Sequence, residues 1–331
     1  MVCVQLRVFE NFAKPQPMQS VLIVKTSSLG DIIHALPVVH DLTTAFPGIR
    51  IDWLVEEAYA ELVALHPGVQ RVVPVACRRW RRQGIGMLLT QWRQLRTSLR
   101  AQSYDAVLDL QGLLKSALLA CAADGLRCGP SWQHTREPLA TLAYAKRAGW
   151  DDSTHVVERL RTLTAGLLGY AWSGAPVFGL PPALGGPEQA VWLLHATARP
   201  EKSWPLASWQ ALTVRLLNAG YTVTLPWGEE AERVQAEAIA QRRSGVTVLP
   251  RMGLAELTAA LGTARAAVGV DTGLTHLAGA LQLPLLALYF ATPAWRYGPK
   301  YDLRASSLGG DDRVPTVDEV WAALAGGVLD G

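Results

Sequence analysis

The stretch Val21-Leu22-Ile23-Val24-Lys25-Thr26-Ser27-Ser28-Leu29-Gly30-Asp31-Ile32-Ile33 decides the fold. Its first four residues are apolar and three are β-branched, the pattern of a short strand buried on both faces. Beyond the polar loop, Ile32, Leu36, Val39, Leu42 and Phe46 step by four, three, three and four, which is helical spacing. Pro37 lies inside that pattern and is expected to kink the helix or delay its start.

The same strand–loop–helix unit recurs outward along the chain. In the first half, strands are expected at 51–56, 72–75 and 105–110, and helices at 59–65, 87–100, 113–122 and 156–168. Composition changes between Tyr170 and Gln189, where Ser173-Gly174-Ala175-Pro176 and the Pro- and Gly-rich stretch 180–187 read as a linker. Alternation then resumes. Strands are expected at 191–195, 222–225, 246–249, 267–270 and 285–290, and helices at 208–219, 231–242, 254–261, 274–281 and 317–329. Thr316 and Glu319 form a capping-box pattern for the last helix.

This order implies an α/β chain with two parallel sheets, each covered by helices. The expected domains are an extension at 1–17, an N-terminal domain at 18–170, a linker at 171–189 and a C-terminal domain at 190–315. A last helix at 316–331 is free to pack back on the N-terminal domain. Ligands of parallel sheets lie beyond the carboxyl ends of strands. The informative loops therefore follow Val24, Leu110, His195, Leu225 and Val270, with a cleft between the halves as the expected site.

The chain has 331 residues, half of them hydrophobic, and 31 Lys+Arg against 28 Asp+Glu, a formal charge of +3. Such balance excludes binding nucleic acid by bulk charge and excludes an acidic disordered chain. Cys3, Cys77, Cys121 and Cys128 show no zinc or C-x-x-C spacing and read as reduced, structural thiols. No secretory signal is evident, and Met18, directly before the first strand, is the expected native start. The uncharged run from Thr272 to Trp295 is broken by Pro284 and Pro293, so it reads as a helix followed by a buried strand. A soluble, cytoplasmic protein is expected.

Lys25 to Asp31 places hydroxyls and a glycine between strand and helix, where backbone N–H groups suit an anion. It is neither a P-loop nor G-x-G-x-x-G, which disfavours a nicotinamide dehydrogenase. Taken alone, Asp31 is better read as a helix cap than as a general base. Val270-Asp271-Thr272-Gly273-Leu274-Thr275-His276 suits a phosphate for the same reason, and Asp271 could also cap its helix. In the segment 195–205, Lys202 can meet a diphosphate or stand as a solvated surface lysine. Pro226-Trp227-Gly228 ends a strand, and Glu232 could accept from a ribose hydroxyl or be an ordinary exposed helical glutamate.

Arg78-Arg79-Trp80-Arg81-Arg82 concentrates four guanidinium groups around one indole. Arginine forks match phosphates and carboxylates, and tryptophan favours membrane interfaces, so an anionic lipid or sugar acid is the expected partner. No neighbour in the sequence neutralises the run. Single-stranded nucleic acid could use Arg with Trp, but no extended basic stripe supports it.

Lys25–Asp31 and Val270–His276 resemble the two signature loops of the lipopolysaccharide heptosyltransferases, glycosyltransferase family 9. The Arg78–Arg82 run, Thr135-Arg136-Glu137-Pro138-Leu139-Ala140 and Pro226-Trp227-Gly228 narrow the resemblance to the branch that adds the first heptose. It spans Met18 to about Leu329. The resemblance implies a GT-B fold with two Rossmann-like domains. It implies inverting transfer of L-glycero-D-manno-heptose from ADP-heptose to the first Kdo of Kdo2-lipid A. The rival readings are a sister enzyme adding a later heptose and a non-catalytic sugar-nucleotide-binding protein.

By that resemblance Asp31 is the general base, which reverses the odds against it. Thr197, Lys202, Trp227, Gly228, Glu232, Asp271, Thr272, Gly273, Leu274 and His276 bind the donor. Lys25, Ser28, Gly30, Arg78, Arg79, Arg81, Arg82 and Arg136 bind the acceptor. No metal or other cofactor is expected, because no aspartate pair of the DXD type follows a strand; the nearest acidic pair is Asp311-Asp312. The implied partners are ADP-heptose, Kdo2-lipid A and, through the lipid, the inner face of the cytoplasmic membrane, with no nucleic acid and no obligate protein partner. Ala198 departs from the family pattern, in which a second Thr is common.

Overall fold

The structure, a computed structural model, describes residues 17–82, 84–181, 189–299, 301, 304–310 and 313–329, without the side chains of residues 78 and 81. The extension 1–16, linker residues 182–188 and the Asp311-Asp312 pair lie outside the described residues. The chain divides into two compact units. Unit 1 runs up to Thr26 and adds 35–57 and 67–177; unit 2 takes 27–34, 58–66 and the chain from Phe178 onward.

The first half of the chain forms, in order, β1 (Ser20–Val24), α1 (Leu29–Ala45), β2 (Arg50–Glu56), α2 (Ala60–Ala64), β3 (Arg71–Val75), α3 (Cys77–Arg82), α4 (Ile85–Arg100), β4 (Ala106–Asp109), α5 (Leu114–Ala120), β5 (Leu126–Pro130), β6 (Lys146–Ala148) and α6 (Val156–Leu168). The six strands make one parallel sheet, ordered β3-β2-β1-β4-β5-β6. Its core joins Leu22, Val24, Leu54 and Val107 of the strands to Trp80, Leu95 and Leu99 of the covering helices. Pro37 sits within a single helix, which starts at Leu29 rather than after the proline. Asp41 of α1 and Arg161 of α6 form a buried bidentate pair at 2.7 and 2.8 Å, with Trp172 stacked 4.0 Å from the guanidinium. Such forks fix geometry as well as charge.

The second half forms β7 (Ala190–Leu194), α7 (Leu206–Asn218), β8 (Thr222–Leu225), α8 (Glu230–Ala240), β9 (Val246–Val248), α9 (Leu254–Leu261), β10 (Ala266–Val270), α10 (Gly273–Ala280), β11 (Leu285–Tyr289), α11 (Ala294–Tyr297), β12 (Ala305–Gly309) and α12 (Val317–Ala323), the last running into a π turn at Leu324–Val328. The sheet is again parallel, ordered β12-β11-β10-β7-β8-β9. Renumbered within its own unit this is the same doubly wound order as the first sheet. Each sheet therefore reverses direction once, between β1 and β4 in unit 1 and between β7 and β10 in unit 2. Ligand sites of such sheets form at that reversal.

Two observations bear on the division of the chain. The final helix belongs to unit 2: Val320, Leu324, Val328 and Leu329 lie in its core with Trp204, Trp209, Leu212 and Leu216. Arg265 donates to the Leu329 carbonyl and Trp204 Nε1 to the Pro315 carbonyl at 2.9 Å, fixing it there. The cut between domains is also not linear. Residues 27–34 and 58–66 join unit 2 because Leu29 packs on Gly273 and the Glu61 carboxylate accepts from Ala255 N at 3.1 Å. No helix among the described residues is long and apolar enough to cross a membrane.

Candidate active site

β1 ends in a loop held by its neighbours. Thr26 donates through both N–H and hydroxyl to Gln111 Oε1, at 2.8 and 2.7 Å. Lys25 is only 6% exposed, and its ammonium donates to the Leu110 carbonyl at 3.1 Å. Lys25 thus makes a buried bond across the ends of β1 and β4. The loop after β4 is fixed by Asp109, which accepts from Gln111 N, Gly112 N and the Tyr144 hydroxyl. Burial pushes the Asp109 carboxyl up, against the lowering pull of those bonds.

Asp31 stands in the first turn of α1, half-buried, and its Oδ2 accepts from Ser28 N at 2.9 Å and Ser28 Oγ at 3.0 Å. The Ser28 carbonyl receives the first helical bond, from Ile32 N at 3.0 Å. Asp31 is therefore a cap, as its local sequence suggests, and a carboxylate held in one orientation by that cap. The turn that carries it packs within unit 2. A Cβ at Gly30 would meet His276 Cδ2 at 2.7 Å, and one at Gly273 would meet Leu29 Cβ at 2.7 Å, so only glycine permits these approaches.

The Asp271 carboxylate does not cap α10. Thr272 occupies the N-cap position, and its side chain makes no cap bond. Asp271 is buried instead among Lys202 Nζ at 2.5 Å, His276 Nε2 at 3.1 Å and the Thr292 hydroxyl. Burial alone would raise its carboxyl; the His276 bond and charge, then Lys202 and Thr292, outweigh that and hold it well below the usual carboxylate range. Thr272, Gly273 and Leu274 are half-exposed at the start of α10, where unsatisfied N–H groups favour an anion. His34, 6% exposed, sets its ring 4.4 Å from the His276 ring, edge to face.

Around the other strand ends of unit 2, Thr197 Oγ1 accepts from Arg199 N at 3.3 Å. Trp227 donates its indole N–H to the Leu249 carbonyl at 2.6 Å and stays half-buried. Glu232 Oε2 accepts from Gly228 N at 2.7 Å and Glu229 N at 3.2 Å, so this carboxylate closes the start of α8 rather than standing free on its surface. Buried His195 lies between the Leu193 and Glu232 carbonyls, and burial lowers its pKa.

Unit 1 carries the arginines. Trp80 is 7% exposed and sits in the core, which overturns its reading as a membrane-interface residue. The indole shares that core with Cys77, three residues earlier on α3, so the two lie on one face of the helix. Arg79 pairs with Glu57 at 3.0 Å, so the run does have a neutralising neighbour, brought in by the fold rather than by the local sequence. Arg82 is exposed, and the side chains of Arg78 and Arg81 lie outside the described residues. Arg136 is exposed on a loop whose neighbours anchor it: Thr135 donates to the Gly112 carbonyl and Glu137 accepts from Leu114 N at 2.6 Å.

The structure thus brings Lys202, Asp271 and His276 into one network and packs Gly30 against it. Two members had not been anticipated. Thr292 follows β11 at a strand's carboxyl end, a position that could have drawn attention to it. His34 carries no such signal, since it falls on the buried face of an apolar helix. Among the described residues no group of three or more His, Cys, Asp or Glu side chains could hold a metal ion.

The sequence profile of Glycosyltransferase family 9 (heptosyltransferase) matches residues 92–318. The chain is 43% identical over 283 residues to Lipopolysaccharide heptosyltransferase 1 of Escherichia coli (strain K12), covering 82% of this chain and 88% of that protein. The E. coli heptosyltransferase WaaC solved with ADP superposes with a TM-score of 0.85 at 37% identity, over 93% of this chain and 99% of the other. The same enzyme with ADP-2-deoxy-2-fluoro heptose gives 0.83 at 36% identity, with the same coverage.

Proposed function

The chain belongs to glycosyltransferase family 9, the heptosyltransferases, and on that footing we propose that it moves L-glycero-D-manno-heptose from ADP-heptose to the first Kdo of Kdo2-lipid A, with inversion, in lipopolysaccharide inner-core biosynthesis. Its two doubly wound units are those of the GT-B class. The observation that carries the reading is the packing of the Asp31 turn on the Asp271–His276 network: Gly30 lies against His276, and Leu29 against Gly273.

Asp31 takes the proton from the acceptor hydroxyl as its oxygen attacks the anomeric carbon. The bond from that carbon to ADP breaks, and the electron pair leaves with the diphosphate. Lys202 and the N–H groups at the start of α10 stabilise the charge that develops there. Thr197, Trp227, Gly228 and Glu232 surround the nucleoside, and Leu274 and His276 line the sugar. On the acceptor side, Arg79, Arg82 and Arg136 meet Kdo carboxylates and lipid A phosphates, with Arg78 and Arg81 in the same run. Ser28 holds Asp31 in place, and Lys25 ties the end of β1 to the Leu110 carbonyl beyond β4. The lipid acceptor brings the enzyme to the inner face of the cytoplasmic membrane.

ADP release from ADP-heptose tests this. It is expected with Kdo2-lipid A and absent without an acceptor. Release only with an acceptor that already carries a heptose assigns a later step, and saturable nucleotide binding with no product under any acceptor rejects the transferase reading.

A further inference from the structure

From Leu62 to Tyr104 the chain has no Asp, Glu or Lys and eight arginines. α4 lies within this span. Its Leu95 and Leu99 are buried, with Trp92 packed on the same core, so this face holds the helix to unit 1. Its first turns do something else. Ile85 is 77% exposed, Leu89 50% and Met87 42%, with Leu88 exposed as well, while Arg82, Arg93 and Arg96 are exposed beside them. Ile85 and Leu89, four apart, share one face of the helix. An apolar tip ringed by cations, with no acidic side chain in the segment, is the pattern of a helix that lies on an anionic interface.

Topology places this tip at a meaningful edge. β3, β4 and β5 are parallel, so the chain leaves all three from one edge of the sheet. The connection after β3 leads into α3 and the start of α4. The connections after β4 and β5 lead to Leu114 and Trp132, both exposed as well. β1 ends on that edge too, in the loop before Asp31.

We propose that the first turns of α4 dock this protein on an anionic phospholipid bilayer, with Ile85, Met87 and Leu89 entering the acyl boundary and Arg93 and Arg96 meeting headgroup phosphates. The exposed apolar residues of these turns are Ile, Leu and Met, Trp80 is buried and Trp92 packs on the core, so the first turns of α4 present no exposed ring for a nucleic-acid base to stack on, Trp132 belonging to the connection after β5; this favours lipid over single-stranded nucleic acid. Arginines near a charged surface add attraction that salt weakens. The proposal rests on the transferase reading only for why a membrane is at hand.

The test uses the full chain and acceptor-free vesicles. Phosphatidylglycerol–phosphatidylethanolamine vesicles are expected to co-sediment the protein, salt to weaken the binding, and phosphatidylcholine vesicles to leave it in solution. An Ile85→Ser/Leu89→Ser variant, altered only at exposed positions, is expected to lose about tenfold or more in vesicle affinity. Its kcat/KM on a water-soluble, deacylated Kdo acceptor should stay unchanged, as should its melting temperature. Arg93→Gln/Arg96→Gln should weaken the same binding through charge. Vesicle binding unaffected by both double variants, or equal on neutral lipid, overturns the proposal, as does preferential binding of a single-stranded oligonucleotide. Because the vesicles hold no acceptor, a failed transfer assay leaves this result standing, and failed docking leaves the transfer reading standing.

Discussion

Lys202 Nζ lies 2.5 Å from Asp271 Oδ2, joining loops 69 residues apart. The cation expected at the diphosphate is thus already committed to a carboxylate, which in turn binds His276 and Thr292. In the proposed donor site a diphosphate at α10 would meet an aimed ammonium rather than a wandering one.

Lys202→Ala should therefore act chiefly on the donor. The KM for ADP-heptose is expected to rise by about tenfold or more, in line with a lost charge-assisted bond, while the acceptor KM holds. Steady-state kinetics with each substrate varied in turn checks this; equal effects on both would remove Lys202 from the donor site.

Asp31→Asn keeps a side-chain oxygen able to accept from Ser28 N–H, so α1 should keep its cap. The amide cannot take a proton, and kcat should fall by about 10²–10⁴-fold with ADP binding retained. Normal turnover by this variant would transfer the base role to another group.

Gly30→Ala sets a methyl 2.7 Å from His276 Cδ2, within the Asp271 network. Turnover should drop in the single variant. In a His276→Ala background the same change should cost little, since the opposing ring is gone. A double-mutant cycle on kcat/KM measures this coupling; additive losses would mean the two residues act separately.

The Asp271 carboxyl is held below its ordinary range in the folded chain, so it contributes stability above its unfolded pKa and loses it as pH falls through the folded value. The melting-temperature gap between the native chain and Asp271→Asn should accordingly narrow as pH drops below about 4. Thermal melts across an acid series read this directly.

Much of the architecture was legible because strands of a parallel sheet covered on both faces are uninterrupted apolar runs. Val21–Val24 and Leu285–Tyr289 declare themselves that way. The elements not foreseen lack that signal. β5 reads Leu-Arg-Cys-Gly-Pro, and the edge strands β6 and β12 read Lys-Arg-Ala and Ala-Ser-Ser-Leu-Gly, which local pattern does not mark as strands. α3 hid inside a charge run, and its Trp80 looked like surface because only the fold supplies the core behind it. At the candidate site, the loop positions followed from strand order. The pairing of Lys202 with Asp271, and of Glu232 with the start of α8, depends on three-dimensional closure and local cap geometry that residue types alone do not report.

Asp41 and Arg161 supply a last measurable case. Asp41→Ala would strand a buried guanidinium, and a loss of about 3–5 kcal/mol is expected in denaturant unfolding. Arg161→Met paired with Asp41→Leu should recover much of it, since neither charge then remains.

The path of the last helix bears on biosynthesis. All six strands of unit 1 have been translated by Ala148, whereas the core of unit 2 needs Val328 and Leu329. On the ribosome, the half bearing the arginines can consolidate early. The half bearing Lys202 and Asp271 stays unfinished until residue 329 has emerged, so a nascent chain would gain its arginine-bearing half long before the Lys202–Asp271 pair is set in a finished core.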